Sequence, residues 1–186
     1  MQANNWWEIW LPESHKDKTL DNFDWKNLEQ VKQSVEKCLS LEHSYGLFIF
    51  GEPGLGKTHL LVGIFVEFLK KNLYVGQDII FTQFSDLMQE INQVGISWDK
   101  AVDEISRIRI LIIDDIRPVD ERSEIILKKL IEKIYEKQIK FFASMNADDI
   151  GEIVAKLKLE DYWLSRLKER CLFIHIKGKD RRKPNV

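Results

Sequence analysis

Two clusters of residues have the types and spacing to hold a polyphosphate and a metal ion between them. The first is Gly51-Glu52-Pro53-Gly54-Leu55-Gly56-Lys57-Thr58, which follows the apolar run Leu47 to Phe50 and opens an amphipathic stretch. Glycines let the backbone fold around an anion with its N–H groups turned inward, and a following helix adds the positive end of its dipole. In such a loop Lys57 reaches the outer phosphates and the Thr58 hydroxyl coordinates magnesium. The plain alternative is a chance glycine turn, which needs neither the lysine and hydroxyl pair nor a strand before it and a helix after it. The second cluster is Ile110-Leu111-Ile112-Ile113-Asp114-Asp115, four apolar residues ending in paired carboxylates. Open α/β sheets bind ligands at the C-terminal edge of their strands. There Asp114 can hold the magnesium shell and Asp115 can orient or deprotonate an attacking water. Together the clusters predict a site for ATP with Mg2+.

The elements that must position these residues alternate in period. Strands are expected over Leu47–Phe50, Ile79–Thr82, Ile110–Ile113, Phe141–Ser144 and Leu172–Ile176, with helices near 27–40, 58–70, 84–94, 97–106, 121–138 and 160–169. The third strand is a β-branched and leucine run fit for burial on both faces. In the 58–70 helix, Leu60, Leu61, Ile64, Phe65 and Phe68 share a face that packs on the sheet. The alternation predicts an α/β fold, a five-stranded parallel sheet sandwiched between helices.

At 186 residues, 44% hydrophobic and 31% charged, the chain has the makeup of one soluble domain. Residues 1–20, with Trp6, Trp7 and Trp10, carry no sustained period and read as an arm or linker; 21–183 form the nucleotide-binding domain, and 184–186 a tail. No apolar run reaches the roughly 18 to 20 residues of a membrane helix, and the N-terminus lacks the order of a secretory signal, so a cytoplasmic protein is expected with no membrane partner. A net charge of −2 confines any nucleic-acid contact to local patches, of which Lys177, Lys179, Arg181, Arg182 and Lys183 form the clearest; a solvated tail is the alternative. Cys38 and Cys171 lack metal-ligand spacing and read as buried thiols.

From Thr19 to Arg182 the chain resembles a known group. The segments TLDNFDW, YGLFIFGEPGLGKTHLL and ILIIDDI are similar to the replication-initiator branch of AAA+ ATPases, which includes DnaA initiators, DnaC/DnaI helicase loaders and IstB-like ATPases. FFASMN and WLSRLKERCLFIHIKGKDRR look like the loader pattern, in which no C-terminal lid domain follows. The resemblance implies that Asn146 senses the γ-phosphate, that Arg166 or Arg170 is an arginine finger offered to a neighbouring subunit's ATP, and that Phe23 and His59 join the loop residues Gly51, Pro53, Gly54, Leu55, Gly56, Lys57 and Thr58 in binding the nucleotide. Arg181 and Arg182 then face phosphate or DNA. It further implies a slow ATPase that self-associates when ATP-bound, contacts single-stranded DNA and helps to deliver a replicative helicase. A transposition helper of the IstB type and a DnaA-related nucleotide-binding regulator share these motifs; a small-molecule kinase shares only the loop.

Overall fold

The computed structural model describes residues 15–73, 75, 77–93, 98–105 and 107–182. The expected tryptophan arm therefore lies outside the described residues, apart from its last few positions. The order of elements is α1 (Glu29–Cys38), β1 (Gly46–Phe50), α2 (Lys57–Leu69), β2 (Ile79–Gln83), α3 (Phe84–Gln93), α4 (Trp98–Ile105), β3 (Ile110–Asp114), α5 (Glu121–Glu136), β4 (Lys140–Met145), α6 (Ile150–Leu157), α7 (Asp161–Arg170) and β5 (Cys171–His175).

The five strands form one parallel sheet in the order β2-β3-β4-β1-β5. Strand β4 thus lies between β1 and β3, which carry the two clusters. Both faces are covered, as the continuous apolar runs require. Phe48 and Phe50 of β1 with Leu111 and Ile113 of β3 meet Leu87 of α3, Leu127 and Ile131 of α5 and Leu167 of α7 on one face. Leu47, Ile49, Ile110 and Ile112 turn the opposite way, against Val31 and Val35 of α1 and Leu60, Ile64 and Phe68 of α2. The period of two in these strands sends each residue to the opposite layer from its neighbour.

The fold class is the one expected, and each expected strand and helix has a counterpart within a few residues. One helix, α6, was not anticipated. Asp149 caps it, its carboxylate accepting from the Glu152 amide at 2.8 Å. An Asp followed three residues later by Glu marks a helix start, but the helix spans only eight residues, a weak periodic signal.

Candidate functional site

The glycine loop leaves β1 at Phe50 and reaches helix α2 at Lys57. Gly54 and Gly56 sit at φ of 84° and 90°, left-handed backbone that costs an L side chain roughly 1 to 2 kcal/mol. Leu55 between them is 3% exposed and pins the loop into the core. Lys57 is almost enclosed, and its Nζ donates to the carbonyls of Gly51 at 2.8 Å and Glu52 at 2.7 Å. Burial pushes its ammonium below the ordinary 10.5, while the charges of Asp115 and Asp114 pull it back up and that of Arg182 adds to the fall. The ammonium therefore lies within electrostatic reach of both carboxylates. Thr58 follows on the first turn of α2.

Asp114 ends β3 and is buried, whereas Asp115 is exposed in the left-handed region at φ 50°. Asn146, just past β4, donates from Nδ2 to the Asp115 carboxylate at 3.1 Å. Ser144, two residues earlier on β4, donates its hydroxyl to Asp114 Oδ1 and accepts from the Asp115 amide at 3.0 Å. Ser144 was not expected to matter. Its signal was its place two residues before Asn146, on the same side of the strand. A cavity of about 340 Å³ opens beside this group, lined by Asp115, Arg117, Asn146 and Lys156 among others.

The segment after β5 crosses the glycine loop. The Arg181 amide donates to the Gly54 carbonyl at 2.9 Å. The Asp180 carboxylate lies against the Gly54 Cα, where a Cβ would meet Oδ1 at 2.0 Å, and it accepts two bonds from the Arg182 guanidinium at 3.1 Å. The Arg181 guanidinium lies 4.7 Å from the centre of the Phe23 ring and donates to the Asp24 carbonyl at 2.8 Å. Asp180 and Arg181 thus touch the loop, while Lys177, Lys179 and Arg182 are exposed; Lys183 lies outside the described residues.

Phe23 is buried, edge-on to Trp25 at 4.6 Å and to His59 at 5.1 Å. The His59 Nε2 sits 3.0 Å from the Thr19 carbonyl and 2.9 Å from Asn22 Oδ1, and burial holds the ring below its usual 6.5. These contacts fasten the segment from Thr19 to Trp25 onto helix α2.

The structure brings Lys57, Asp114, Asp115 and Asn146 together with the loop and leaves Arg166 elsewhere. Arg166, on α7, donates to Glu132 at 3.1 Å and lies over the rings of Tyr162 at 4.0 Å and Tyr135 at 4.9 Å. Arg170 donates to Ser44 Oγ at 3.0 Å, and its Nε is buried with no partner among the described residues. Both candidate fingers are held by their own chain. No described helix is long and apolar enough to cross a membrane.

Known proteins resemble this chain in sequence and in fold. Residues 10–186 match the family described as IstB-like ATP binding protein. The putative ATP-binding protein of insertion sequence IS21 from Pseudomonas aeruginosa is 26% identical over 183 residues, covering 91% of this chain and 68% of that protein. The chromosomal replication initiator DnaA of Mycoplasma genitalium is 30% identical over 159 residues, which is 75% of this chain and 35% of the initiator. Among solved structures, the DnaC helicase loader has the same fold, with a TM-score of 0.73 at 18% identity over 89% of this chain and all of that one. The chain belongs to the IstB-like ATP-binding family, in the replication-initiator and helicase-loader branch of AAA+ ATPases.

Proposed function

We propose that the chain binds ATP with magnesium between the glycine loop and the ends of β3 and β4, hydrolyses it slowly, and uses the cycle as a switch in delivering a replicative helicase to single-stranded DNA in the cytoplasm. The observation that carries the reading is the meeting of Lys57, Asp114, Asp115 and Asn146 at one sheet edge, beside a loop with left-handed glycines. Among the described residues no three His, Cys, Asp or Glu side chains gather. A magnesium ion here would take Thr58 and Asp114 as its protein oxygens and complete its shell from phosphate and water, a donor set that suits a hard octahedral cation. When bound it would neutralise charge on the phosphates.

The residues then divide the work. Lys57 exchanges its two carbonyl partners for phosphate oxygens. Gly51, Pro53, Gly54, Leu55, Gly56, Thr58 and His59 shape the cradle, and Phe23 supplies an aromatic wall beside it. Asp115, exposed and held by Asn146, orients the attacking water and accepts its proton. A neighbouring copy bound through ATP would supply the cation that stabilises the departing phosphate. For Arg166 to do so it must leave Glu132 and the tyrosines, and that rearrangement would make hydrolysis depend on assembly.

ATP turnover with and without single-stranded DNA, beside a sizing measurement in a non-hydrolysable analogue, tests the reading. Turnover that rises with DNA or with self-association is expected, and Asp115→Asn should keep binding and lose turnover. Absence of magnesium-dependent ATP binding would defeat the proposal. A second reading, a transposition helper, is favoured by the 26% identity to the IS21 protein across 91% of the chain. Capture of a transposase and not of a replicative helicase by the ATP-bound protein would decide for it.

A further inference from the structure

We propose that Ser144 is a positioning residue for hydrolysis, one hydroxyl that sets the orientation of both carboxylates at the end of β3. The inference rests on the ATP-binding reading above and deepens it.

The last ladder pair between β3 and β4 is Ile113 with Ala143. Asp114 still pairs with Gln83 of β2, and β3 then leaves the sheet as Asp115 turns into the left-handed region at φ 50°, uncommon outside glycine, asparagine and aspartate. That turn withdraws two successive amides from the regular ladder, and Ser144 takes both. Its hydroxyl accepts from the Asp115 amide at 3.0 Å, and its carbonyl accepts from the Ile116 amide at 2.8 Å. The same hydroxyl donates its proton to Asp114 Oδ1.

Ser144 is 1% exposed, flanked on its strand by Ala143 and Met145. A hydroxyl in such surroundings costs stability unless it is bonded. A merely structural serine commonly bonds a backbone carbonyl near it in sequence. This one bonds two acids some thirty residues distant in sequence, one proposed to hold the metal and the other to handle the water. By taking Oδ1 of Asp114 it fixes the rotation of that carboxylate and directs Oδ2 to the metal's shell. By holding the Asp115 amide it keeps the strained turn that presents the second carboxylate to Asn146. Partners that orient a metal-binding carboxylate typically matter about 10- to 100-fold in metal affinity or activity.

The test compares the wild-type chain with Ser144→Ala and Ser144→Thr, measuring ATP affinity in EDTA, the magnesium concentration for half-maximal hydrolysis, kcat and Tm. Ser144→Ala should bind ATP in EDTA within about twofold of wild type, since the loop and Lys57 are untouched. It should need about tenfold more magnesium, with kcat lowered about tenfold or more. Ser144→Thr keeps the hydroxyl and should recover most of the magnesium response. Should the alanine variant fail to fold, Ser144→Cys, close in size and a poor donor, carries the same expectation. Unchanged magnesium dependence and kcat in a folded Ala or Cys variant would overturn the proposal. So would a folded Thr variant as defective as Ala, because the hydroxyl would then not be the operative group. A wild-type chain that fails to bind magnesium ATP is a different outcome, and removes the proposed function along with this inference.

Discussion

Replacing Lys57 with alanine separates binding from folding, because the structure shows what the ammonium holds within its own chain. Its Nζ donates to two neutral carbonyls, those of Gly51 and Glu52, at 2.8 and 2.7 Å. A bond from a charged donor to a neutral acceptor is worth about 1.5 kcal/mol net at the low end. One whose acceptor is charged as well lies at the upper end of the range for charged groups, about 3 kcal/mol. Exchanging two carbonyls for two phosphate oxygens therefore gains about 3 kcal/mol, and losing that gain weakens nucleotide binding about 100-fold. Fold stability should change far less. The two lost carbonyl bonds are offset by removing a buried ammonium, whose desolvation is the largest influence on its pKa. A net change of about 1 kcal/mol would move Tm by about 2 to 4 °C in a domain of this size. Calorimetric titration with a non-hydrolysable ATP analogue and magnesium reads the affinity, and a melting curve reads the fold. A folded Lys57→Ala protein that binds within threefold of wild type would refute the reasoning.

Three further outcomes follow from the geometry. Arg166→Ala loses the Glu132 ion pair and the stack on Tyr162 and Tyr135, so Tm of the nucleotide-free protein should fall by about 2 to 8 °C for about 1 to 2 kcal/mol lost. If the same side chain also acts on a neighbour's ATP, hydrolysis by the assembled protein should fall about 1,000-fold or more; full-rate hydrolysis in the assembly would reject that role. Gly54→Ala puts a Cβ at φ 84° and into the Asp180 carboxylate, so it should cost about 1 to 2 kcal/mol in a denaturant titration and release the Arg181 bond to the loop. An unchanged midpoint would show that the segment after β5 does not rest there in solution. Burial keeps the His59 ring neutral in the folded chain and lowers its pKa below 6.5. The unfolded chain takes up that proton first as pH falls, so the contribution of His59 is complete above about pH 6.5 and is lost below it. Melting curves from pH 7.5 to 5 should show a decline that is shallower in His59→Gln, and equal slopes would contradict the assignment.

The candidate site was legible because its parts are local. A glycine-rich octapeptide ending in Lys57 and Thr58, and an apolar run ending in Asp114 and Asp115, each carry their chemistry within a few consecutive residues, and the alternation of periods placed both at strand ends. Asn146 was reached through resemblance, and in the fold its side-chain amide donates to the Asp115 carboxylate. Ser144 was passed over because its partners lie at the end of a neighbouring strand some thirty residues away in sequence, and its place two residues before Asn146 does not say what the hydroxyl bonds.

Local sequence determined the glycine loop, the acidic strand end, the helices that cover them and the parallel α/β class, since these follow from short-range stereochemistry and the period of burial. Tertiary structure alone decided the rest. The strand order inserts β4 between β1 and β3 and so lets one serine reach both acids. The chain's return across Gly54 brings Arg182 towards Lys57, and the packing of α7 on α5 gives Arg166 to Glu132 and Tyr135. Each of these contacts joins residues distant in sequence, and such meetings are fixed by how layers pack, which no short stretch of sequence specifies.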